Sequence, residues 1–232
     1  MVMIKKEKRV SIDLNTVRFI NSPVPSNTYL ISIENTFSCI VIDPGSKEET
    51  ELMAYIREKC LTVEYIILTH EHFDHCWGVN ELIEKTGAKV VCSNNCAKNV
   101  KQPLNYFNKF YFNSKEEYGV NRVDMTIEEL RYVLKWHGVS ISFMEIKGHL
   151  PGSMCISMGN ALFTGDTLLL NTKPVLLKRL GSSKTDYKES VSKIFSSFSG
   201  NTLVYPGHGE QFYLIDACQY FDEYFGEYHV NN

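Results

Sequence analysis

Between Thr69 and Trp77 the chain reads T-H-E-H-F-D-H-C-W. Three imidazoles and two carboxylates crowd this stretch: His70, Glu71, His72, Asp74 and His75. In an extended segment His70 and His72 point the same way, because side chains alternate between faces. Asp74 and His75 come after a turn and face a second point. Glu71 and Phe73 read as spacers. Imidazole mixed with carboxylate suits zinc or iron; an all-oxygen set would suit magnesium or calcium. Three further candidates, His149, Asp166 and His208, lie far along the chain. Each follows an apolar, strand-like run, as His70 follows Y-I-I-L-T. Loops at strand ends are where rigid scaffolds present functional groups.

A catalytic zinc takes three protein ligands and keeps one position open. His70, His72 and His149 would hold one ion, and Asp74, His75 and His208 another. Asp166, with two carboxylate oxygens, would bridge them. Two metals ~3.5–4 Å apart can hold a hydroxide between them. Asp74 would orient that hydroxide, which makes it the catalytic candidate as well as a ligand. Asp43, in I-D-P-G, is a candidate acceptor for a ligand histidine N–H, fixing its tautomer; the plainer reading is a turn-forming aspartate. Cys76 reads as a packed thiol beside the site. His137, at the end of a predicted helix, and His229, in the tail, read as structural or surface residues.

These groups need elements to carry them. V-R-F-I, N-T-Y-L-I-S-I and S-C-I-V-I-D-P-G read as successive strands, rich in Val, Ile, Phe and Tyr. Helical spacing follows from Glu48 to Cys60, then Tyr65–His70 is a buried strand. Another helix is predicted over Gly78–Lys85, and A-K-V-V-C-S as the next strand. Thr126 and Glu129 have capping-box spacing. They predict a helix with Ile127, Leu130 and Leu134 on one face, stopped by Gly138. Val139, Ile141 and Phe143 alternate into a strand; M-C-I-S-M and A-L-F-T-G-D follow as strands, then a helix around Lys188–Phe198 and the strand T-L-V-Y-P-G. A meander of strands followed by alternation with helices points to a layered α/β fold with mixed sheets.

The sequence has 232 residues, 44% of them hydrophobic, and carries 24 basic against 27 acidic side chains for a net charge of −3. That balance argues against coating nucleic acid or an anionic membrane surface. No run of ~20 apolar residues is present, so no spanning helix is expected. The start lacks a signal-peptide pattern, and the seven cysteines are odd in number with no C-x-x-C pair. Reduced thiols in a cytoplasmic protein are expected. Without repeats or linker-like tracts, residues 1–232 read as a single domain.

With T-H-E-H-F-D-H, G-H-L-P-G-S (148–153), F-T-G-D-T (163–167) and P-G-H-G (206–209) in this order, and I-D-P-G upstream, the sequence resembles the metallo-β-lactamase-fold hydrolase superfamily. The resemblance covers roughly Asn27 to Gly209. It implies an αββα sandwich, two mixed sheets back to back with helices on both outer faces. It also implies that all seven ligands converge at one sandwich edge around two Zn²⁺. True β-lactamases of the family lack an aspartate bridge at the position of Asp166. Acyl-homoserine lactonases carry a tyrosine soon after it, where this chain has T-L-L-L-N-T-K. Flavo-diiron proteins use Glu in place of His72. The glyoxalase II-like thioesterases are the best match, without their glutathione-binding C-terminal extension and with Gly209-Glu210 where they usually have Glu-Tyr. The resemblance therefore implies a dinuclear hydrolase of an ester, thioester or related acyl bond of a small molecule. The persulfide dioxygenases share the motif set but hold a single Fe, which would map onto His70, His149 and Asp166. A metal-free scaffold of the same fold is a further reading, disfavoured by the complete ligand set. Two substrate readings stay open. The aromatic segment 105–118 is either a pocket wall or core packing. Lys173, Lys178 and Arg179, after Asp166, would suit a carboxylate or phosphate on the substrate.

Overall fold

The computed structural model describes residues 14–47, 50–101, 118–128 and 131–225. Two six-stranded mixed sheets form the centre. The first runs in chain order: β1 (Leu14–Ile20), β2 (Asn27–Ile33), β3 (Ser38–Ile42), β4 (Thr62–Ile67), β5 (Lys89–Ser93) and β6 (Met125–Ile127). Its first three strands pair antiparallel, and β3 to β6 pair parallel. The second runs β12 (Phe212–Tyr213), β11 (Leu203–Pro206), β10 (Ala161–Gly165), β9 (Met154–Met158), β8 (Val139–Glu145) and β7 (Arg131–Trp136). Only β10 and β11 are parallel within it.

Every residue of β2 is buried, as expected of a strand covered on both faces. Between the sheets Tyr29 packs edge-on against Phe163, with ring centroids 5.3 Å apart, and Phe163 stacks on Tyr205 at 4.9 Å. Helix α1 (Glu51–Glu58) is capped by the Thr50 hydroxyl, which accepts from the Met53 N–H, and buries Leu52, Met53 and Ile56. After the short turn α2 (Phe73–Cys76), α3 (Val79–Thr86) buries Val79 and Leu82 and ends at Gly87 in the left-handed region. These helices and α4 (Asn94–Asn99) join the main core. On the far side α5 (Lys184–Ser197) and α6 (Leu214–Phe225) bury Tyr187, Val191, Ile194, Leu214, Ala217 and Phe221 in a second cluster with Leu162 and Val204 of the second sheet. The layer order is the αββα sandwich expected.

The predicted helix from Thr126 is corrected. Thr126 and Ile127 lie in β6, and the chain from Arg131 is strand β7. Its exposure alternates, with Arg131, Val133 and Lys135 exposed and Tyr132, Leu134 and Trp136 turned inward. Alternation, not helical spacing, is the pattern that decides. His137 (φ 45°) and Gly138 (φ 85°) make the two-residue loop joining Trp136 to its partner Val139. Positive φ at both central positions matches the twist of a hairpin. His137 therefore sits in a hairpin turn, its Nε2 2.7 Å from Glu64 Oε1. His229 and most of the aromatic segment 105–118 lie outside the described residues. Tyr118 is described: it is buried, meets Phe73 edge-on at 5.6 Å and donates its hydroxyl to the Cys76 carbonyl.

Candidate metal centre

The seven predicted ligands meet at the ends of four strands. His70 follows β4, His149 follows β8, Asp166 follows β10 and His208 follows β11. Cross-bonds hold these loops together: the Met154 N–H donates to the Thr69 carbonyl at 2.9 Å, and the Gly207 N–H to the Gly165 carbonyl at 2.8 Å. Gly207 admits no side chain, because a Cβ there would lie 2.1 Å from Asp166 Oδ1.

Two main clusters result, beside a smaller group of Asp43 with His70 and His75. His70, His72, His149 and Asp166 form one, and Asp74, His75 and His208 the other. Asp166 lies between them. Its Oδ2 is 3.8 Å from His70 Nε2, 3.6 Å from His149 Nε2 and 3.6 Å from His208 Nε2, and its Oδ1 is 3.4 Å from His75 Nε2. Asp74 Oδ2 is 3.5 Å from His75 Nε2 and 3.2 Å from His208 Nε2. His149 Nε2 stands 3.1 Å from His72 Nδ1.

These spacings test whether a metal fits. Ligands bound at zinc distances in a tetrahedron stand ~3.3 Å apart, and the separations above scatter around that value. The Nε2 atoms of His70 and His75 and the Oδ1 of Asp166 are buried with no hydrogen-bond partner among the described residues. Buried polar atoms are costly to leave unpaired. Around His70, His72 and His149 lone pairs converge with no proton between them, and beside Asp74 and Asp166 a cation would take the place of the protons on His75 and His208, so the donor set fits zinc or iron.

The far nitrogens explain the orientation. His75 Nδ1 donates to Asp43 Oδ2 at 3.1 Å, His149 Nδ1 to the Val175 carbonyl at 3.1 Å, and His208 Nδ1 to the Pro25 carbonyl at 3.1 Å. The Thr69 hydroxyl donates to Asp43 at 2.5 Å, so its oxygen is left to accept from His70 Nδ1 at 2.9 Å. In all four rings the proton is held on Nδ1 and Nε2 faces the centre. Asp43 also accepts from the Thr69 N–H at 2.7 Å and adopts φ 52°. Its left-handed backbone is the sort of strain that persists where surrounding bonds over-determine it. Asp43 thus touches both Thr69 and the ring of His75. Thr69 was missed, because a threonine before a histidine carries no signal of its own.

Charge divides the two clusters. Burial pushes His70 well below the ordinary histidine range, takes His72 down to about 3 with help from His149, and lowers His149. Burial opposes charge on His75 and His208 too, but Asp166 and Asp74 overcome it. His75 is held well above its usual range and His208 is raised to about 9. Against the same burial, His75 and His208 keep Asp166 well below the carboxylate range and lower Asp74. Without metal, the first cluster is neutral imidazole and the second is imidazolium paired with carboxylate.

The neighbours fall into place around this. Cys76 is buried and donates to the His72 carbonyl at 3.1 Å, a packed thiol and not a ligand. Glu71 is more than a spacer. It is buried, accepts from Asn99 Nδ2 at 2.7 Å, and burial pushes its carboxyl up. Lys173, Lys178 and Arg179 are exposed on the segment after Asp166, which touches the centre through the Val175 carbonyl on His149. Among the described residues no helix is long and apolar enough to cross a membrane.

The family model described as the metallo-beta-lactamase superfamily matches residues 21–208. A probable polyketide biosynthesis zinc-dependent hydrolase, BaeB of Bacillus velezensis, is 28% identical over 78% of this chain and 71% of its own length. The hydroxyacylglutathione hydrolase GloC of Haemophilus influenzae is 25% identical over 73% of this chain and 79% of its own. Among solved structures, the BLEG-1 B3 metallo-beta-lactamase superposes with TM-score 0.75 at 20% identity, covering 88% of this chain and 97% of that one. TTHA1623 in a di-iron-bound form gives 0.71 at 24%, covering 87% and 96%.

Proposed function

The chain belongs to the metallo-beta-lactamase superfamily, and from that premise we propose that it is a dinuclear zinc hydrolase cleaving the acyl thioester or ester of a small molecule. One observation carries the reading: the Asp166 carboxylate lies within 3.4–3.8 Å of nitrogens from both clusters. An oxygen of Asp166 is therefore within reach of an ion in either cluster.

Bound zinc lowers the pKa of water to ~7 and polarises a carbonyl, supplying a nucleophile and an electrophile at neutral pH. The chain's residues do the rest. His70, His72 and His149 would hold the first ion, Asp74, His75 and His208 the second, with Asp166 placed to contribute to either. Asp74, whose Oδ2 lies 3.2 Å from His208 Nε2, would give one oxygen to the second ion and keep the other to accept a hydrogen bond from a nearby water. Asp43 and Thr69 keep His75 and His70 in the Nε2-coordinating tautomer. Lys173, Lys178 and Arg179 are proposed contacts for an anionic part of the substrate. The name of the Bacillus relative supports a zinc-dependent hydrolase and that of the Haemophilus relative an acyl substrate, and seven reduced cysteines suit a reducing cytoplasm.

A panel of acyl thioesters, esters and lactones with zinc-loaded protein tests this. Thioester turnover lost together with metal in Asp166→Ala is expected. An Asp166→Ala protein keeping two metals and full turnover would sink the bridging role. A second reading has its own geometry: His70, His149 and Asp166 make a two-histidine, one-carboxylate face of the kind that binds iron in oxygenases. Oxygen-dependent persulfide oxidation with no hydrolysis would select it.

A further inference from the structure

We propose that Asn27, at the start of β2, is the positioning residue that builds the second metal site by gripping the loop of His208; the inference rests on the dinuclear reading above. His208 is the most exposed of the ligands in that cluster, its side chain 28% accessible. It sits between Gly207 and Gly209, the latter at φ 79°. Such a loop has little rigidity of its own, and Gly207 cannot be stiffened, since a Cβ would strike Asp166.

The stiffness comes from the far end of the sequence. The Asn27 amide nitrogen lies 2.9 Å from the Pro206 carbonyl and 2.8 Å from the Gly209 carbonyl, so it spans His208 from both sides. It also reaches the Tyr29 hydroxyl at 3.0 Å, and that hydroxyl donates to Pro206 at 2.7 Å. The Asn27 backbone N–H donates to the Gly207 carbonyl at 2.7 Å, and Ser26 bridges His208 as an isolated β-pair. Arg18 completes the bracket, donating to the Gly209 carbonyl at 2.7 Å and to Glu210 at 2.6 Å. Every residue from Pro206 to Glu210 is therefore bonded to the segment 18–29. The same segment grips the other loop of this site, because the Ser26 hydroxyl donates to the Asp74 carbonyl.

The first site has different supports. The His149 ring is held by the Val175 carbonyl, and the His149 carbonyl accepts from the Ser182 hydroxyl at 2.5 Å. Asn27 touches neither. Loss of its amide should therefore act mainly on the second metal and reach the first only through the shared Asp166, whereas general destabilisation would weaken both alike. Removing an outer-shell partner typically costs about 10–100-fold in metal affinity.

The experiment is a two-site zinc titration against a competing chelator, on the full chain, with thermal unfolding of the apo protein alongside. Asn27→Ala and Asn27→Asp should both weaken the second zinc by about 10–100-fold and the first by much less. Asp keeps the shape but turns a carboxylate toward two carbonyls. Arg18→Ala, on the rim, should give a smaller loss of the same selectivity and serves if the Asn27 variants do not fold. Unchanged affinity for the second zinc, or equal weakening of both, overturns the proposal. A wild-type chain that binds only one ion fails the dinuclear reading itself, and the proposal falls with it.

Discussion

Raising the pH from 7 to 9 should strengthen one metal site and leave the other alone. A ligand histidine that is protonated without metal must release its proton to bind, so affinity climbs with pH until the ring's own pKa is passed and is flat above it. His208 is raised to about 9 by Asp166 and Asp74 against burial. Proton competition at this ring alone therefore weakens the second site by ~100-fold at pH 7 and only ~2-fold at pH 9, a net gain of about 50-fold. His75, also held well above its usual range, steepens the dependence. The first site behaves oppositely. His72 is down to about 3, and burial holds His70 and His149 below the ordinary value. Those rings are already neutral at pH 7, so the first affinity stays flat. The assay is zinc competition at pH 7, 8 and 9, with His149→Ala and His208→Ala assigning the two events. Calorimetry in buffers of different ionisation enthalpy counts the protons released. The raised pKa of His208 carries the reverse sign for the apo fold: its stabilisation is complete below about pH 6.5 and fades as pH rises through about 9. Equal pH slopes at both sites, or a steep first site, would refute the electrostatic division.

Thr69→Val keeps shape but removes the oxygen that accepts from His70 Nδ1; it should cost about 1–3 kcal/mol in urea unfolding and lower affinity for the first zinc, and unchanged values of both would contradict the relay. Gly207→Ala puts a Cβ 2.1 Å from Asp166 Oδ1 and 2.8 Å from His75 Cε1. Strain of about 1–3 kcal/mol is expected, with metal content below wild type by elemental analysis; full metal content would show the loop yields without moving Asp166. Leu30→Ala, at a fully buried position of β2, should cost about 2–5 kcal/mol in denaturant unfolding while the folded fraction keeps wild-type metal stoichiometry.

The residues that gather in the two clusters are legible in the sequence because their signal is local. His70, Asp166 and His208 each end an apolar run, and His70, His72, Asp74 and His75 share one short stretch. The strands β1 to β5 and the helices α1, α3 and α5 were legible from periodicity for the same reason. Residues 125–136 misled because Ile127 and Leu134 satisfy a helical spacing, while Tyr132, Leu134 and Trp136 also alternate. Pairing with β8, closed by two left-handed residues at His137 and Gly138, chose the strand. No local window contains that partner. Asn27 stayed invisible for a stronger version of this reason. Its acceptors are 179 and 182 positions away, and an asparagine opening a strand has no distinctive chemistry until the sheets close. Glu71 reads as a spacer in the sequence because its partner Asn99 is brought back against this loop only by α4.

The central claim is that two metals share Asp166. Anomalous scattering from crystals of the protein purified without added metal tests it most directly. The account predicts two zinc-edge peaks ~3.5–4 Å apart, one among His70, His72 and His149, the other among Asp74, His75 and His208, with Asp166 between them. A single iron-edge peak against His70, His149 and Asp166, with nothing at His75 and His208, would contradict it.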